Sequence, residues 1–139
     1  MIDDAGHILH IDFGFCFDIA PGGIKFERAP FKLTAEMVAV MGRSPDHQSF
    51  RCFEELCVRA FLASRLHCHE LSNILRLMAH SGLPCFRPET VRHFGDRFVL
   101  DKSDRDAADF MKDLIRKSYS SYSTGIYDQF QLLTNGIPF

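Results

Sequence analysis

The sequence predicts a mainly α domain: a small N-terminal β-hairpin, a long loop, and then five to six helices. Three observations lead there. From Thr34 onward, apolar residues return every three to four positions, the helical period. Residues 1–12 hold two short apolar runs around a glycine turn, and residues 13–31 carry neither period.

The hairpin is read from Met1-Ile2-Asp3, the turn signal Asp4-Ala5-Gly6, and the resumption at Ile8, Leu9 and Ile11. Two strands alone are marginal in water, so this unit is expected to pack on something else. Gly14, Pro21-Gly22-Gly23 and Pro30 then punctuate a stretch without helical period. Loops of that length are uncommon in a compact domain and are usually functional or disordered. Its aromatic content (Phe13, Phe15, Phe17 and Phe26) argues against simple disorder.

Thr34 is expected to cap a first helix that stops near Gly42. A second starts near Ser44 or Asp46, with Phe50, Phe53, Leu56, Cys57, Ala60 and Phe61 as its apolar stripe. Leu71, Ile74, Leu75 and Met78 continue the pattern to Gly82, and Pro84 enforces the stop. Pro88-Glu89 opens a short helix through Val91, Phe94 and Phe98, weakened by Gly95. Ser103-Asp104-Arg105-Asp106 resembles a capping box with Asp in place of Glu. Ala107, Phe110, Met111, Leu114, Ile115, Ser118 and Tyr122 then share one face, and Ile126, Tyr127, Phe130 and Leu133 form a last amphipathic segment.

Composition removes several function classes. Sixteen basic residues against eighteen acidic ones give a net charge of -2, unlike the basic stripe of a nucleic-acid binder, so no nucleic-acid partner is expected. No apolar run is long enough to span a bilayer, and MIDDAGHILH lacks the pattern of a signal peptide. Five cysteines without a CxxC pair suit a reducing compartment better than a disulfide scaffold. His67-Cys68-His69 fits no zinc spacing, and Cys57, on an apolar stripe, reads as a small hydrophobe.

The strongest chemical signal is His10-Ile11-Asp12-Phe13-Gly14, placed between hairpin and loop. Phosphoryl transfer needs a carboxylate on a rigid strand end, because Mg²⁺ takes hard oxygen ligands at about 2.0–2.1 Å. The following Phe packs inward and the Gly lets the chain swing into a loop, as in the Asp-Phe-Gly triplet of kinases. Gly22-Gly23 reads as a flexible turn rather than a phosphate cradle, since no helix N-terminus follows it directly.

HIDFGF, DIAPGG, PFKLT, FEELCVRAFLA, SGLPCF and YDQFQLLTNGIPF together resemble the phosphatidylinositol 3-/4-kinase family along essentially the whole chain. DFGF with PGG, GLPCF and NGIPF is most similar to the type III alpha 4-kinase subgroup in its fungal form. The stretch IKFERAPF also looks like the corresponding part of 3-kinases.

The resemblance implies that residues 1–139 are the distal C-lobe of a protein-kinase-like catalytic domain, with residues 12–30 as its activation loop. In the family a catalytic loop of the form DRHxxN directly precedes the run with which this chain begins. That loop and the N-lobe, with the ATP-pairing Lys, are therefore expected to lie outside these residues, and the fragment alone is expected to be inactive. The implied cofactors are ATP and Mg²⁺. Asp12 matches the Mg²⁺ ligand, Ile11 a residue on the floor of the nucleotide pocket, and His10 a strand histidine near the transferred phosphoryl that would accept a proton. Lys25, Arg28 and Lys32 match the basic residues of the lipid-reading loop. Asp18 and Glu27 dilute that charge, which favours phosphatidylinositol itself over inositides already phosphorylated.

The implied reaction transfers the ATP γ-phosphoryl to the inositol 4-hydroxyl, in the cytoplasm and peripherally at the plasma membrane. The implied partners are phosphatidylinositol in a membrane surface, the remaining N-lobe and helical region of the parent kinase, and regulatory scaffold proteins. Residues 126–139 would either touch the bilayer or pack on the C-lobe, and the absence of any cation from Ser118 onward favours the latter. The alternatives are a phosphatidylinositol 3-kinase, a non-catalytic helical interaction fragment, and a protein kinase of the related large group. The last usually ends in a Trp-containing segment, and Trp is absent here.

Overall fold

A computed structural model describes residues 1, 3–7, 9–11, 16, 17, 19, 29–87 and 89–120. Among them are five helices: α1 (Ala35–Val40), α2 (Gln48–Leu66), α3 (Cys68–Met78), α4 (Thr90–Asp96) and α5 (Asp104–Tyr119). The mainly helical expectation is met.

No β-strand occurs among the described residues. Where the hairpin was expected there is a tight turn. The Gly6 N–H donates to the Asp3 carbonyl at 3.0 Å, and Gly6 takes φ 84, which a side chain would resist. The Met1 amine and the Leu9 N–H each donate to the other residue's carbonyl, at 2.9 and 2.8 Å. Ile2 and Ile8, the apolar positions of the expected strands, lie outside the described residues.

Thr34 caps α1 as expected, its Oγ1 accepting from the Met37 N–H at 3.3 Å. The chain reverses at Gly42, at φ 100, where a Cβ would run into the His47 ring. That ring is occupied in capping α2: His47 Nδ1 accepts from the Ser49 N–H at 3.2 Å. The second helix therefore starts a little later than Ser44 or Asp46.

Phe50 is buried and Phe53, Cys57 and Phe61 are half-buried along the inner face of α2, whereas Leu56 is 56% exposed and Ala60 faces out. The expected stripe was thus drawn too wide. At His67 (φ -105, ψ 15) the backbone leaves the α region, and the helical pattern breaks into α2 and α3. The break resets the phase. Cys68 and Ser72 are buried and Leu71 and Leu75 half-buried, while Ile74 and Leu77 are 58% and 83% exposed. Leu71-Ile74-Leu75-Met78 is therefore not a single inward face.

Helix α4 opens at Thr90, next to Glu89, as expected, although Glu89 makes no side-chain cap bond and the helix ends at Asp96, so Phe98 lies beyond it. The adjacent Thr90, only 2% exposed, ties down the preceding turn instead. Its Oγ1 accepts from the Arg87 N–H at 3.0 Å and donates to the Cys85 carbonyl at 3.1 Å. In α5 the Ser103 Oγ accepts from the Asp106 N–H at 3.2 Å. Asp is one methylene shorter than Glu, and its carboxylate takes the Ser103 hydroxyl at 2.7 Å.

The core lies where α1 and α2 meet α5: Leu33, Val38, Phe50 and the wholly buried Ile115, flanked by Phe31, Met41, Phe53, Cys57 and Met111. Burying such side chains contributes about 1.5–3 kcal/mol each. The α4–α5 connection is held by Arg65 of α2, whose side chain is 8% exposed. Its guanidinium donates to the carbonyls of Phe98 and Val99 at 3.0 Å and of Lys102 at 2.8 Å. Val99 there takes φ 45, a left-handed backbone that β-branched residues resist.

Candidate functional site

The site expected from HIDFG begins where the N-terminal turn ends. That turn is organised by one carboxylate. Asp3 Oδ1 accepts the His7 N–H at 2.7 Å and the Ala5 N–H at 2.9 Å, and Oδ2 lies 2.8 Å from His7 Nδ1. The His7 N–H, then the His7 ring, hold the Asp3 carboxyl below its ordinary value of 3.8, since both favour the charged form. With the Met1–Leu9 pair, these bonds fix the chain just before His10.

His10 and Ile11 are exposed, Ile11 at 60%. Asp12, Lys25 and Arg28 lie outside the described residues. Lys32 is exposed and stands between two anchored neighbours, Phe31 on the core and Leu33 within it. The described members of the expected site thus flank residues 12–30, with His10 and Ile11 before and Lys32 after. Residues 126–139, and with them the choice between membrane contact and self-packing, also lie outside the described residues.

Two residues absent from the expected site stand out near this stretch. Phe17 places its ring 5.5 Å from Phe86 and 6.3 Å from Phe94. Ser118, wholly buried on α5, accepts the Phe31 N–H at 3.3 Å. A signal existed for each: Phe17 belongs to the unusual aromatic content of the loop, and Ser118 is a hydroxyl on an otherwise apolar helix face.

A cleft of about 680 Å³ between α3 and α4 holds none of the expected site residues. Its charged rim is engaged, Arg92 with Asp96 at 3.1 Å and Arg76 with Asn73 at 2.6 Å. Among the described residues no three His, Cys, Asp or Glu side chains are grouped to hold a metal ion. In the His67-Cys68-His69 run Cys68 is buried, its Sγ 4.0 Å from Ser72 Oγ, while both histidines are exposed. Cys57 packs against the core, and burial, then the charge of Glu54, push its thiol above the ordinary 9.0. No described helix is long and apolar enough to cross a membrane.

Comparison with known proteins adds what the geometry leaves open. A family model described as phosphatidylinositol 3- and 4-kinase matches residues 1–88. The chain is 58% identical over 140 residues to phosphatidylinositol 4-kinase stt4 of Schizosaccharomyces pombe, covering 100% of this chain and 8% of that protein. It is 57% identical over 140 residues to phosphatidylinositol 4-kinase STT4 of Saccharomyces cerevisiae, again over 100% of this chain and 7% of the relative. With phosphatidylinositol 4-kinase beta 1 of Arabidopsis thaliana it shares 37% over 142 residues, 99% of this chain and 13% of the relative. The chain therefore spans only a small part of the length of these relatives.

Proposed function

The chain belongs to the phosphatidylinositol 3- and 4-kinase family, and from that premise we propose that it forms the distal C-lobe of a lipid kinase phosphorylating the 4-hydroxyl of phosphatidylinositol. The observation that carries the reading is its 58% and 57% identity, over the whole chain, to two proteins named phosphatidylinositol 4-kinases. The sparsely basic loop agrees with it. Lys25, Arg28 and Lys32 are opposed by Asp18 and Glu27, enough for one diester phosphate and few for a more highly phosphorylated inositide.

In this reading residues 12–30 are the activation loop, and Asp12 would hold Mg²⁺ together with ATP phosphate oxygens. A single carboxylate suits that ion, which is usually bound through one or two carboxylates plus substrate phosphates and water. When bound, Mg²⁺ neutralises charge developing on the transferred phosphoryl. Ile11, exposed beside it, would line the floor of the nucleotide pocket. His10, which is exposed, would accept the proton of the attacking hydroxyl. Lys25, Arg28 and Lys32 would seat the headgroup phosphate. The kinase would act peripherally at the cytoplasmic face of the plasma membrane, with the N-lobe, the helical region and regulatory scaffold proteins as partners.

Positioning supplies most of the catalysis in phosphoryl transfer, and these 139 residues contain no DRHxxN run. Alone they are expected not to turn over lipid. The test uses the full-length protein carrying this segment, with ATP, Mg²⁺ and phosphatidylinositol vesicles. Phosphatidylinositol 4-phosphate should form, and Asp12→Ala should abolish it. Phosphorylation at the 3-hydroxyl, or full activity in Asp12→Ala, would refute the reading.

A further inference from the structure

The described residues secure the 12–30 stretch near both of its ends. Near its start, Phe17 takes φ 58, a left-handed backbone that a bulky residue adopts only where its surroundings over-determine it. Its ring tilts against Phe86 at 5.5 Å and meets Phe94 edge-on at 6.3 Å. Phe94 in turn contacts Phe98 at 5.1 Å, Phe98 stacks on Phe61 at 6.3 Å, and Phe61 lies 6.1 Å from Phe110. A continuous row of rings therefore runs from the start of the loop through α4 and α2 to α5.

Just beyond the loop's other end the fastening is polar. The Phe31 N–H donates to Ser118 Oγ at 3.3 Å, joining positions 87 residues apart. Ser118 is 0% exposed, and a hydroxyl buried that completely costs free energy unless it is hydrogen-bonded. Phe31 itself packs on the core, and Leu33 enters it. Helix α5 thus receives both fastenings, through Phe110 at one and Ser118 at the other.

We propose that Phe17 and Ser118 are positioning residues that fasten the two ends of the lipid-reading loop to the helical layer, and so govern productive binding of the headgroup rather than of ATP. Neither side chain touches substrate in this scheme. Each acts through the loop, and the proposal rests on the reading of residues 12–30 as the activation loop.

The test is steady-state kinetics of the full-length protein on phosphatidylinositol dispersed in phosphatidylcholine vesicles. Ser118→Ala and Phe17→Leu should each raise the KM for phosphatidylinositol about five- to tenfold, the scale of one lost buried hydrogen bond or aromatic contact. The KM for ATP should stay within about twofold, because the chain leading into His10 and Ile11 is held separately, by the Met1–Leu9 and Asp3–His7 bonds of the N-terminal turn. Phe17→Tyr keeps the ring and should keep the wild-type lipid KM. Equal rises in both KM values, or a lipid KM left unchanged, would overturn the proposal.

Amide hydrogen exchange on the same full-length proteins separates this idea from the assignment of activity. Ser118→Ala should speed exchange in peptides covering residues 16–31 while leaving α2 and α3 protected. If the wild-type protein made no phosphorylated lipid, the functional reading would fail and the exchange result would still decide the fastening. Unchanged exchange over residues 16–31 would overturn it.

Discussion

Replacing Arg65 by methionine should destabilise the helical layer far more than an ordinary surface substitution. Methionine keeps most of the apolar stem, so the loss isolates the guanidinium. That group serves three carbonyls of the α4–α5 connection, those of Phe98, Val99 and Lys102, at 2.8 to 3.0 Å. The bonds to Phe98 and Val99 are partly buried, and each carbonyl left without its charged donor costs about 1–3 kcal/mol. The Lys102 carbonyl is exposed and water can replace its partner. The Asp104 carboxylate, 3.7 Å away and 82% exposed, contributes under about 1 kcal/mol. The expected loss is therefore about 2–7 kcal/mol, against a total of about 5–15 kcal/mol for a typical domain. Urea unfolding of the 139-residue chain at micromolar concentration, followed by far-UV circular dichroism, measures it. With a slope of about 2 kcal/mol per molar, the middle of the usual range, the midpoint should fall by roughly 1–3.5 M at unchanged slope. Arg65→Lys, whose single ammonium reaches fewer carbonyls, should fall between the two. A loss below about 0.5 kcal/mol in Arg65→Met, the size of a neutral surface change, would refute the reasoning.

Other outcomes follow from single contacts. Gly42→Ala should cost about 1–3 kcal/mol, because position 42 sits at φ 100 with the His47 ring in the way of any Cβ; an unchanged urea midpoint would contradict this. The Asp3 carboxyl is held below 3.8 in the folded turn, so its stabilisation is complete above that value and is lost as pH falls through the lower, folded value. Amide resonances of Ala5 and His7 should shift together in that acid range, and a His7 amide insensitive to it would sink the assignment. Iodoacetamide near pH 8 should modify exposed Cys52 well before Cys57, whose thiol is raised by burial and by Glu54. Equal labelling rates would be the contrary result.

The starts of α1 and α5 were legible because a hydroxyl side chain signals each locally, whereas the His47 ring that caps α2 is not a usual capping group. Thr34 and Ser103 were readable as caps because their hydroxyls act within three residues. The face of α5 was readable because burial repeats at Ala107, Ile115 and Ser118. The break at His67 was not, since a single residue leaving the α region has no compositional signal, and it moves every later side chain to a new face. Arg65 was missed for a related reason. It falls on the continuation of the Phe53-Cys57-Phe61 stripe, where a charge looks misplaced until its carbonyl partners arrive from residues 98–102. The candidate site was read through motif resemblance, whereas its fastening through Phe17 and Ser118 depends on pairings 77 and 87 residues apart, which only tertiary structure supplies.

The central contact of the core also sets an order of events during synthesis. Leu33, Val38 and Phe50 are closed off by Ile115, which leaves the ribosome about 65 residues after Phe50. At roughly 5–20 residues per second, that apolar patch waits some 3–13 s for its cover. Through that interval the nascent chain presents a patch that chaperones can bind, and premature release before α5 would leave it permanently open.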